Sequence, residues 1–131
     1  KIYKNAYFER FAKKNKIADT DLIKAVERVE KGLIDADLGS FLIKQRIPRK
    51  GQSRARGYRT MLSDTGSAML FVYGYAKSEK DNLTKVEERE FKKLAQFFST
   101  LSDAHLQELI KKKNLIEVKE MVKKYKSDAI A

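Results

Sequence analysis

Cysteine, tryptophan, proline and histidine are scarce in this chain. Its 131 residues include no cysteine, no tryptophan, one proline and one histidine. Without cysteine, the chain cannot form a disulfide, use a thiolate nucleophile or bind a metal through sulfur. Its histidine, aspartate and glutamate residues show no spacing typical of a metal site, and no glycine-rich loop has the spacing that binds nucleotide phosphates. We therefore expect no metal and no small-molecule cofactor.

Long hydrophobic runs are also missing. No apolar stretch approaches the roughly 20 residues that a helix needs to cross a bilayer, and the first residues lack the apolar segment of a signal peptide. The length of 131 residues is typical of one domain, which buries about two thirds of the surface of its unfolded chain. We expect a soluble, cytoplasmic protein with no membrane partner.

Acidic residues are absent between Leu38 and Ser63, and this absence is the most informative one. The stretch holds a series of cations: Lys44, Arg46, Arg49, Lys50, Arg54, Arg56 and Arg59. The net charge of the chain is +11, and a local excess of positive charge concentrates anions at one place on a surface. Because arginine presents a planar fork that suits phosphate and also stacks on bases, the stretch favours a nucleic-acid site over a solvated face.

Hydrophobic periodicity predicts helices at both ends of the chain and strands in the middle. The predicted N-terminal elements are a strand at 1–5, a helix at 6–15, a helix capped by Asp19 or Thr20 that stops near Gly32, a turn at 35–40 and a strand at 41–47. The predicted C-terminal elements are a strand at 58–63, a turn at 64–67, a strand at 68–77, a helix capped by Thr84 and a helix capped by Ser102. Residues 115–118 fit either a strand or a turn. We expect an α+β fold, with an N-terminal helical hairpin on a small, mainly antiparallel sheet and further helices at the C-terminus.

The two central strands form a predicted hairpin that carries several aromatic residues. Strict alternation puts Phe71, Tyr73, Tyr75 and Lys77 on one face. Rings in such positions either stack on bases or fill a core. We expect Phe71 in the core, whereas Tyr73 and Tyr75 suit both roles. Gly74, within the same strand, predicts a bulge or the close approach of another backbone.

Four motifs stand at characteristic spacing: Lys44-x-Arg46, Gly57-Tyr58-Arg59-Thr60, Phe71-Val72-Tyr73-Gly74-Tyr75-Ala76-Lys77 and Glu79-Lys80-Asp81-Asn82-Leu83. Together with the order of elements, they resemble the RelE/ParE superfamily of bacterial type II toxins, most closely its RelE/HigB-like subfamily. Gly-Tyr-Arg alone is a weak signal, but its spacing from the later motifs makes the combination specific. The resemblance covers about residues 2–118. We therefore assign 1–119 to a RelE-like toxin domain and 120–131 to a C-terminal tail.

The resemblance implies a ribosome-dependent endoribonuclease that cuts mRNA and is held inactive by a helix-turn-helix antitoxin. The implied partners are that antitoxin, the ribosome and mRNA. Arg59 matches the arginine that contacts the scissile phosphate in this family. The catalytic candidates are Arg59, Lys50, Arg54, Lys77 and Lys80. The residues expected to bind RNA are Lys44, Arg46, Arg49, Arg56, Tyr58, Tyr73 and Tyr75.

Two positions depart from the family pattern and leave the proton transfers unassigned. Ser78 stands where well-studied members have an arginine, and Thr84 stands where they have a catalytic tyrosine. The usual pair of histidines is absent, and His105 is expected to be a cap or a surface residue. Glu79 is expected to form an ion pair with a neighbouring lysine. Crowding by like charge lowers the pKa of a lysine, and the candidates for this effect are Lys44, Lys50, Lys77 and Lys80.

Two other functions stay open from the sequence. The ParE-like branch of the same fold poisons DNA gyrase and cuts no RNA. Arg59 and the basic stretch favour RNA, whereas Ser78 and Thr84 keep that branch open. A non-catalytic module that binds rRNA or DNA through its phosphates is the third possibility.

The tail from Met121 resembles the start of an antitoxin, and the alternative is an ordinary helical tail.

Overall fold

The computed structural model describes residues 1–49 and 57–119. Its elements are, in chain order, β1 (Ile2–Asn5), α1 (Ala6–Lys14), α2 (Asp19–Glu30), β2 (Ala36–Gly39), β3 (Leu42–Ile47), β4 (Tyr58–Asp64), β5 (Met69–Ala76), α3 (Lys85–Ser99), α4 (Asp103–Lys111) and β6 (Leu115–Glu117). The strands form one sheet in the order β2-β3-β4-β5-β1-β6. Every pair of neighbours is antiparallel except β1 and β5. The predicted α+β fold is confirmed. The predictions for the tail, 120–131, lie outside the described residues.

Helices α1 and α2 cover one face of the sheet, which we call the α1–α2 face. Helix α1 buries Phe8 and Ala12, and helix α2 buries Leu22, Val26 and Val29. These apolar residues recur every three or four positions, so each helix presents a single apolar stripe. The stripes pack against buried residues of the strands: Ile43, Ile47, Tyr58, Leu62, Phe71 and Ala76. The predicted helical hairpin is confirmed.

Gln45 is fully buried on the α1–α2 face and makes several hydrogen bonds there. Its amide nitrogen donates to the carbonyl oxygens of Ala25 at 3.3 Å and Leu33 at 3.0 Å. Its side-chain oxygen accepts from the N–H of Asp35 at 2.9 Å. Because a buried amide is costly only when it lacks partners, Gln45 stabilises the junction between α2 and β3.

Helix α3 lies on the opposite face, which we call the α3 face. The Thr84 hydroxyl accepts from the N–H of Glu87 at 3.1 Å, and the Glu87 carboxylate accepts from the N–H of Thr84 at 2.8 Å. This confirms the predicted capping box. Apolar residues of α3 and α4 then pack on the sheet: Phe91, Leu94, Ala95, Phe98, Leu106, Leu109 and Ile110.

Four details differ from the sequence predictions or decide between them. The predicted turn at 35–40 is wrong, because Ala36–Gly39 forms the edge strand β2. Phe41 has a positive φ of 68°, so β3 begins only at Leu42. The N-cap of α2 is Ala18, whose N–H donates to the Asp21 carboxylate at 2.9 Å. The C-terminal segment that fitted a strand or a turn forms strand β6.

The hairpin of β4 and β5 contains a bulge that changes which residues share a face. Met61 pairs with Tyr73, but the next residue of β4 pairs with Phe71. Val72 is therefore an extra residue in β5. Phe71 consequently packs in the core of the α1–α2 face, while Tyr73 and Tyr75 lie on the α3 face. The core position of Phe71 is confirmed, but its predicted shared face with the tyrosines is wrong.

Two glycines mark positions where neighbouring groups come unusually close. A Cβ atom on Gly74 would lie 2.4 Å from the ring of Phe11. The close neighbour is thus a ring of α1 rather than another backbone. A Cβ atom on Gly57 would lie 2.1 Å from the carbonyl oxygen of Ile47 and 2.7 Å from the nitrogen of Arg49. Backbone atoms thus leave no room for a side chain at Gly57, where the end of β3 lies close to the start of β4. No helix in the described ranges has the length and apolar character to cross a membrane.

Candidate nucleic-acid site

Three adjacent strands bring two arginines and a tyrosine into one row on the α3 face. Arg46 of β3 pairs with Arg59 of β4, and Arg59 pairs with Tyr75 of β5. Residues paired across strands point to the same face of a sheet. Lys44, two residues before Arg46, shares that face and donates to the side-chain oxygen of Asn82 at 3.1 Å. The register thus gathers cations that the sequence presented as separate positions.

Arg59 is the most buried cation of this row, with 6% of its surface exposed. Burial lowers the pKa of Arg59, and the positive charge of Arg46 lowers it further. Arginine nevertheless stays protonated at physiological pH, because its ordinary pKa is far higher. Two like charges are therefore held next to each other in a partly dry site. A phosphate bound between them would relieve their repulsion and accept charge-assisted hydrogen bonds.

Tyr75 carries a polar atom that the fold itself does not satisfy. Its side chain is 5% exposed, and its buried hydroxyl has no hydrogen-bond partner among the described residues. Burial raises the pKa of Tyr75, although the charges of Arg59 and Lys80 act in the opposite direction. The hydroxyl is thus neutral and available to donate a hydrogen bond. Buried polar atoms without partners are uncommon and often mark functional positions.

Lys80 lies beside the row and is paired with a carboxylate. Its Nζ forms an ion pair with Glu87 and lies 5.4 Å and 5.8 Å from the ring centroids of Tyr73 and Tyr75. The hydrogen bond to Glu87 is the main reason that the pKa of Lys80 is raised. The prediction of a lowered pKa for Lys80 is therefore wrong, because its closest charge is negative. Lys80 is suited to act as a fixed cation rather than as a base.

Lys77 follows β5 and is held by the turn behind it. Its Nζ donates to the carbonyl oxygen of Asp81 at 3.0 Å and lies 3.6 Å from the Asp81 carboxylate. Within the described part of the chain, Glu79 makes no ion pair. The predicted pairing of Glu79 with Lys77 or Lys80 is wrong, because Asp81 and Glu87 take those two lysines.

Three aromatic rings form a stack at the edge of the α3 face. Tyr7 stacks on Tyr73 with ring centroids 5.4 Å apart, and Tyr73 stacks on Phe91 at 4.8 Å. Because Tyr73 has a ring on each side, it has no face left for a base. Tyr7, at the end of the stack, is 45% exposed. The sequence patterns did not single out Tyr7. Its position outside the apolar stripe of α1 was a usable signal, because an aromatic ring there does not serve the core.

Tyr58 and Arg49 lie apart from the row of Arg59. Tyr58 is 5% exposed on the α1–α2 face and meets the ring of Phe11 edge-on at 5.7 Å. Its hydroxyl accepts from the Nε of Arg49 at 3.2 Å, and that bond raises the pKa of Arg49. A ring buried in this way has little surface on which a base could stack, and the RNA-binding role of Tyr58 stays a prediction. The expected roles of Lys50, Arg54 and Arg56 concern positions outside the described residues.

The positions that depart from the family pattern have ordinary structural roles. Thr84 is the N-cap of α3, so its hydroxyl is engaged with Glu87. Ser78 is exposed in the turn after β5. His105 is exposed in the first turn of α4, where its N–H donates to the Ser102 hydroxyl at 3.2 Å. The expected surface location of His105 is confirmed, and Ser102 is the cap.

Comparison with known proteins identifies the family. A family model described as the RelE toxin of the RelE/RelB toxin-antitoxin system matches residues 1–118. No curated protein and no solved structure matches the chain significantly. The match spans every helix and strand described above, including the row of Arg46, Arg59 and Tyr75. The chain therefore belongs to the RelE toxin family of the RelE/RelB toxin-antitoxin system.

Proposed function

We propose that this chain is a cytoplasmic endoribonuclease that cuts mRNA on the ribosome and is neutralised by its antitoxin. The row formed by Arg46, Arg59 and Tyr75 carries this proposal, because it places two cations and a hydroxyl donor side by side. Family membership supports it, since RelE toxins are generally endoribonucleases. We further propose that the antitoxin is of the helix-turn-helix type.

The proposed chemistry is an internal transesterification of RNA. The 2′-oxygen attacks the adjacent phosphorus, the bond from phosphorus to the 5′-oxygen breaks, and a 2′,3′-cyclic phosphate and a 5′-hydroxyl form. One proton leaves the 2′-oxygen and another reaches the 5′-oxygen. Negative charge accumulates on the phosphate oxygens in the transition state, so fixed cations beside them lower the barrier.

Each residue of the row has a distinct task in this proposal. Arg59 binds the scissile phosphate, because its burial excludes water and strengthens the interaction with a charged oxygen. Arg46 adds a second charge from the more exposed side. The Tyr75 hydroxyl donates to a phosphate oxygen and thereby gains the partner that the fold does not provide. Lys80 acts as a fixed cation at the edge of the row. Lys50, Arg54 and Lys77 remain predicted contributors to RNA binding or proton transfer.

The test is primer extension on a defined mRNA incubated with translating ribosomes and the purified protein. We compare the wild type with Arg59→Ala and with Arg89→Ala, a control that removes an exposed arginine of α3. We expect cuts at codons in the ribosomal A site for the wild type and the control. Removing one transition-state donor typically lowers the rate about 100-fold or more, and we expect that loss for Arg59→Ala.

The other outcomes separate the remaining functions. Equal cutting by Arg59→Ala and the wild type would overturn the role of Arg59. If the protein makes no cuts but its expression still arrests cell growth, gyrase inhibition is favoured over RNA cleavage. Absence of both cuts and arrest would point to a binding module.

A further inference from the structure

A cleft of about 420 Å³ lies beside the row of Arg59, between helix α1 and one edge of β5. Strand β1 pairs with β5 only from Met69 to Phe71. The second half of β5 therefore has no neighbouring strand on that side among the described residues. The residues of the cleft used below are Tyr7, Arg10, Lys14, Tyr73, Glu79 and Lys80.

One side of α1 presents an aromatic ring followed by two cations. Tyr7, Arg10 and Lys14 are spaced by three and four positions, so they lie along the same side of the helix. All three side chains are exposed. Among the described residues, neither Arg10 nor Lys14 forms an ion pair. This face does not serve the core, which takes Phe8 and Ala12 instead.

The ring and the charges of the cleft suit single-stranded nucleic acid. Tyr7 ends the stack of rings and is 45% exposed, and bases stack on exposed aromatic rings regardless of their sequence. Three cations line the cleft, Arg10, Lys14 and Lys80, against one carboxylate, Glu79. Because Lys80 is paired with Glu87, the excess of positive charge comes from Arg10 and Lys14. An RNA strand needs this excess of positive charge.

Lys80 connects the cleft with the proposed catalytic row. It lines the cleft, and its Nζ lies 5.8 Å from the ring centroid of Tyr75, which pairs with Arg59. A strand that leaves the row past Lys80 therefore enters the cleft directly. We propose that the cleft binds the nucleotide next to the scissile phosphate, with its base on Tyr7 and its phosphate at Arg10 and Lys14. This inference rests on the proposed function, because the cleft is the site of the neighbouring nucleotide only if RNA is cut at the row of Arg59.

The experiment measures binding of a fluorescent 2′-O-methyl RNA hexamer, which cannot be cleaved because its 2′-oxygens are blocked. The variants are Tyr7→Ala, Tyr7→Phe and the double variant Arg10→Gln/Lys14→Gln. The matched control is Arg89→Gln/Lys93→Gln, which removes two exposed cations from α3 at similar spacing. Thermal unfolding of each variant shows whether it is folded.

Each variant has its own expected result. Loss of one stacked base weakens binding about tenfold in Tyr7→Ala, whereas Tyr7→Phe keeps the ring and binds like the wild type. In the double variant, two lost phosphate contacts reduce the slope of log affinity against log salt by about 1.4. The control keeps the wild-type slope. A purely structural role of Arg10 and Lys14 would not change this slope.

The outcomes distinguish failure of the cleft from failure of the proposed function. Equal binding and equal slopes in all variants would overturn the cleft, even if the wild type cuts mRNA. If the wild type cuts no mRNA but binds the hexamer through Tyr7, Arg10 and Lys14, the cleft is supported and the nuclease proposal fails. If Tyr7→Ala weakens binding of the antitoxin and not of the hexamer, the occupant is a protein segment and our inference is wrong.

Discussion

The two faces of the same sheet differ in how they treat buried polar groups. On the α1–α2 face, Gln45 is fully buried, and the hydrogen bonds described for its side chain are made with backbone groups of Ala25, Leu33 and Asp35. On the α3 face, Arg59 is buried next to Arg46, and the Tyr75 hydroxyl lacks a partner in the described part of the chain. Both faces are built by the same strands, so strand identity does not explain the difference.

This difference separates polar residues that stabilise the fold from polar residues that are available to bind a ligand. A buried amide with internal partners stabilises the fold. Adjacent like charges and an unsatisfied hydroxyl reduce stability, and such arrangements are typical of binding sites. Substitutions on the first face should therefore change stability without changing activity. Substitutions in the row of Arg46, Arg59 and Tyr75 should instead change activity with little loss of stability.

The largest expected effect on stability is that of Gln45→Ala. It leaves the carbonyl oxygens of Ala25 and Leu33 and the N–H of Asp35 without their partner, so we expect a loss of about 3 kcal/mol. Urea denaturation measures it, with Lys44→Ala as the control from the other face of the same strand. Cleavage by folded Gln45→Ala should match the wild type. A loss of activity at unchanged stability would contradict the division between the faces.

Lys4→Met should lower the free energy of unfolding by about 2 kcal/mol. The Lys4 side chain is 7% exposed, and its ammonium donates to Glu9 at 3.0 Å and to Asp19 at 3.1 Å. Both carboxylates retain contact with water, so the loss is smaller than for a fully buried pair. Lys24→Met, an exposed position of α2, is the control. A loss below 0.5 kcal/mol, on the order of an exposed pair, would show that this cluster does not anchor the face.

The ion pairs of Lys4 with Glu9 and Asp19 predict how the stability of the protein depends on pH. Burial lowers the pKa of Lys4, but the bonds to Glu9 and Asp19 outweigh it and raise the pKa above its ordinary value of 10.5. A raised pKa stabilises the folded state below the ordinary pKa, and this contribution disappears as the pH rises through the folded value. The stability difference between wild type and Lys4→Met should thus be constant around neutral pH and shrink as the pH rises above 10.5. A difference that vanished on acidification alone would refute this assignment.

Glu87→Gln tests the α3 face and should cost about 1 kcal/mol. The variant weakens the helix cap and the pair with Lys80. Lys80 lowers the pKa of Glu87 below its ordinary 4.5, so this contribution is present above that pH and lost as the pH falls through the folded value. Denaturation at pH 7 and pH 3 measures it, with Glu88→Gln as the control. RNA affinity should rise, because Lys80 loses its neutralising carboxylate; a fall would contradict this account.

Tyr75→Phe has the smallest expected effect on stability and separates the effects on stability and activity most clearly. Removing a buried hydroxyl without a partner should leave stability unchanged or raise it by up to about 1 kcal/mol. Cleavage should fall about tenfold, the worth of one hydrogen bond to a charged group. Tyr73→Phe is the control, since its hydroxyl contacts Glu87 and Lys80 rather than the row. Normal cleavage by Tyr75→Phe would remove this residue from the mechanism.

Local sequence patterns predict the individual helices and strands and the positive charge of the central strands. The capping box of Thr84, the glycine after α2 and the hairpin of β4 and β5 follow from residues close to one another in the chain. The acid-free stretch likewise identified Arg46 and Arg59 before their positions were known. Such features depend on backbone preferences and composition, which a short segment already contains.

Which of these residues come into contact depends on the folded arrangement of the strands and helices. The extra residue at Val72 moves Phe71 to one face and Tyr73 to the other, and strict alternation cannot foresee a bulge. The raised pKa of Lys80 depends on Glu87, because the turn after β5 and the first turn of α3 place this carboxylate next to Lys80. Tyr7 reaches Tyr73 from a different element altogether. Pairing, stacking and pKa depend on distances through space, and the folded sheet sets those distances.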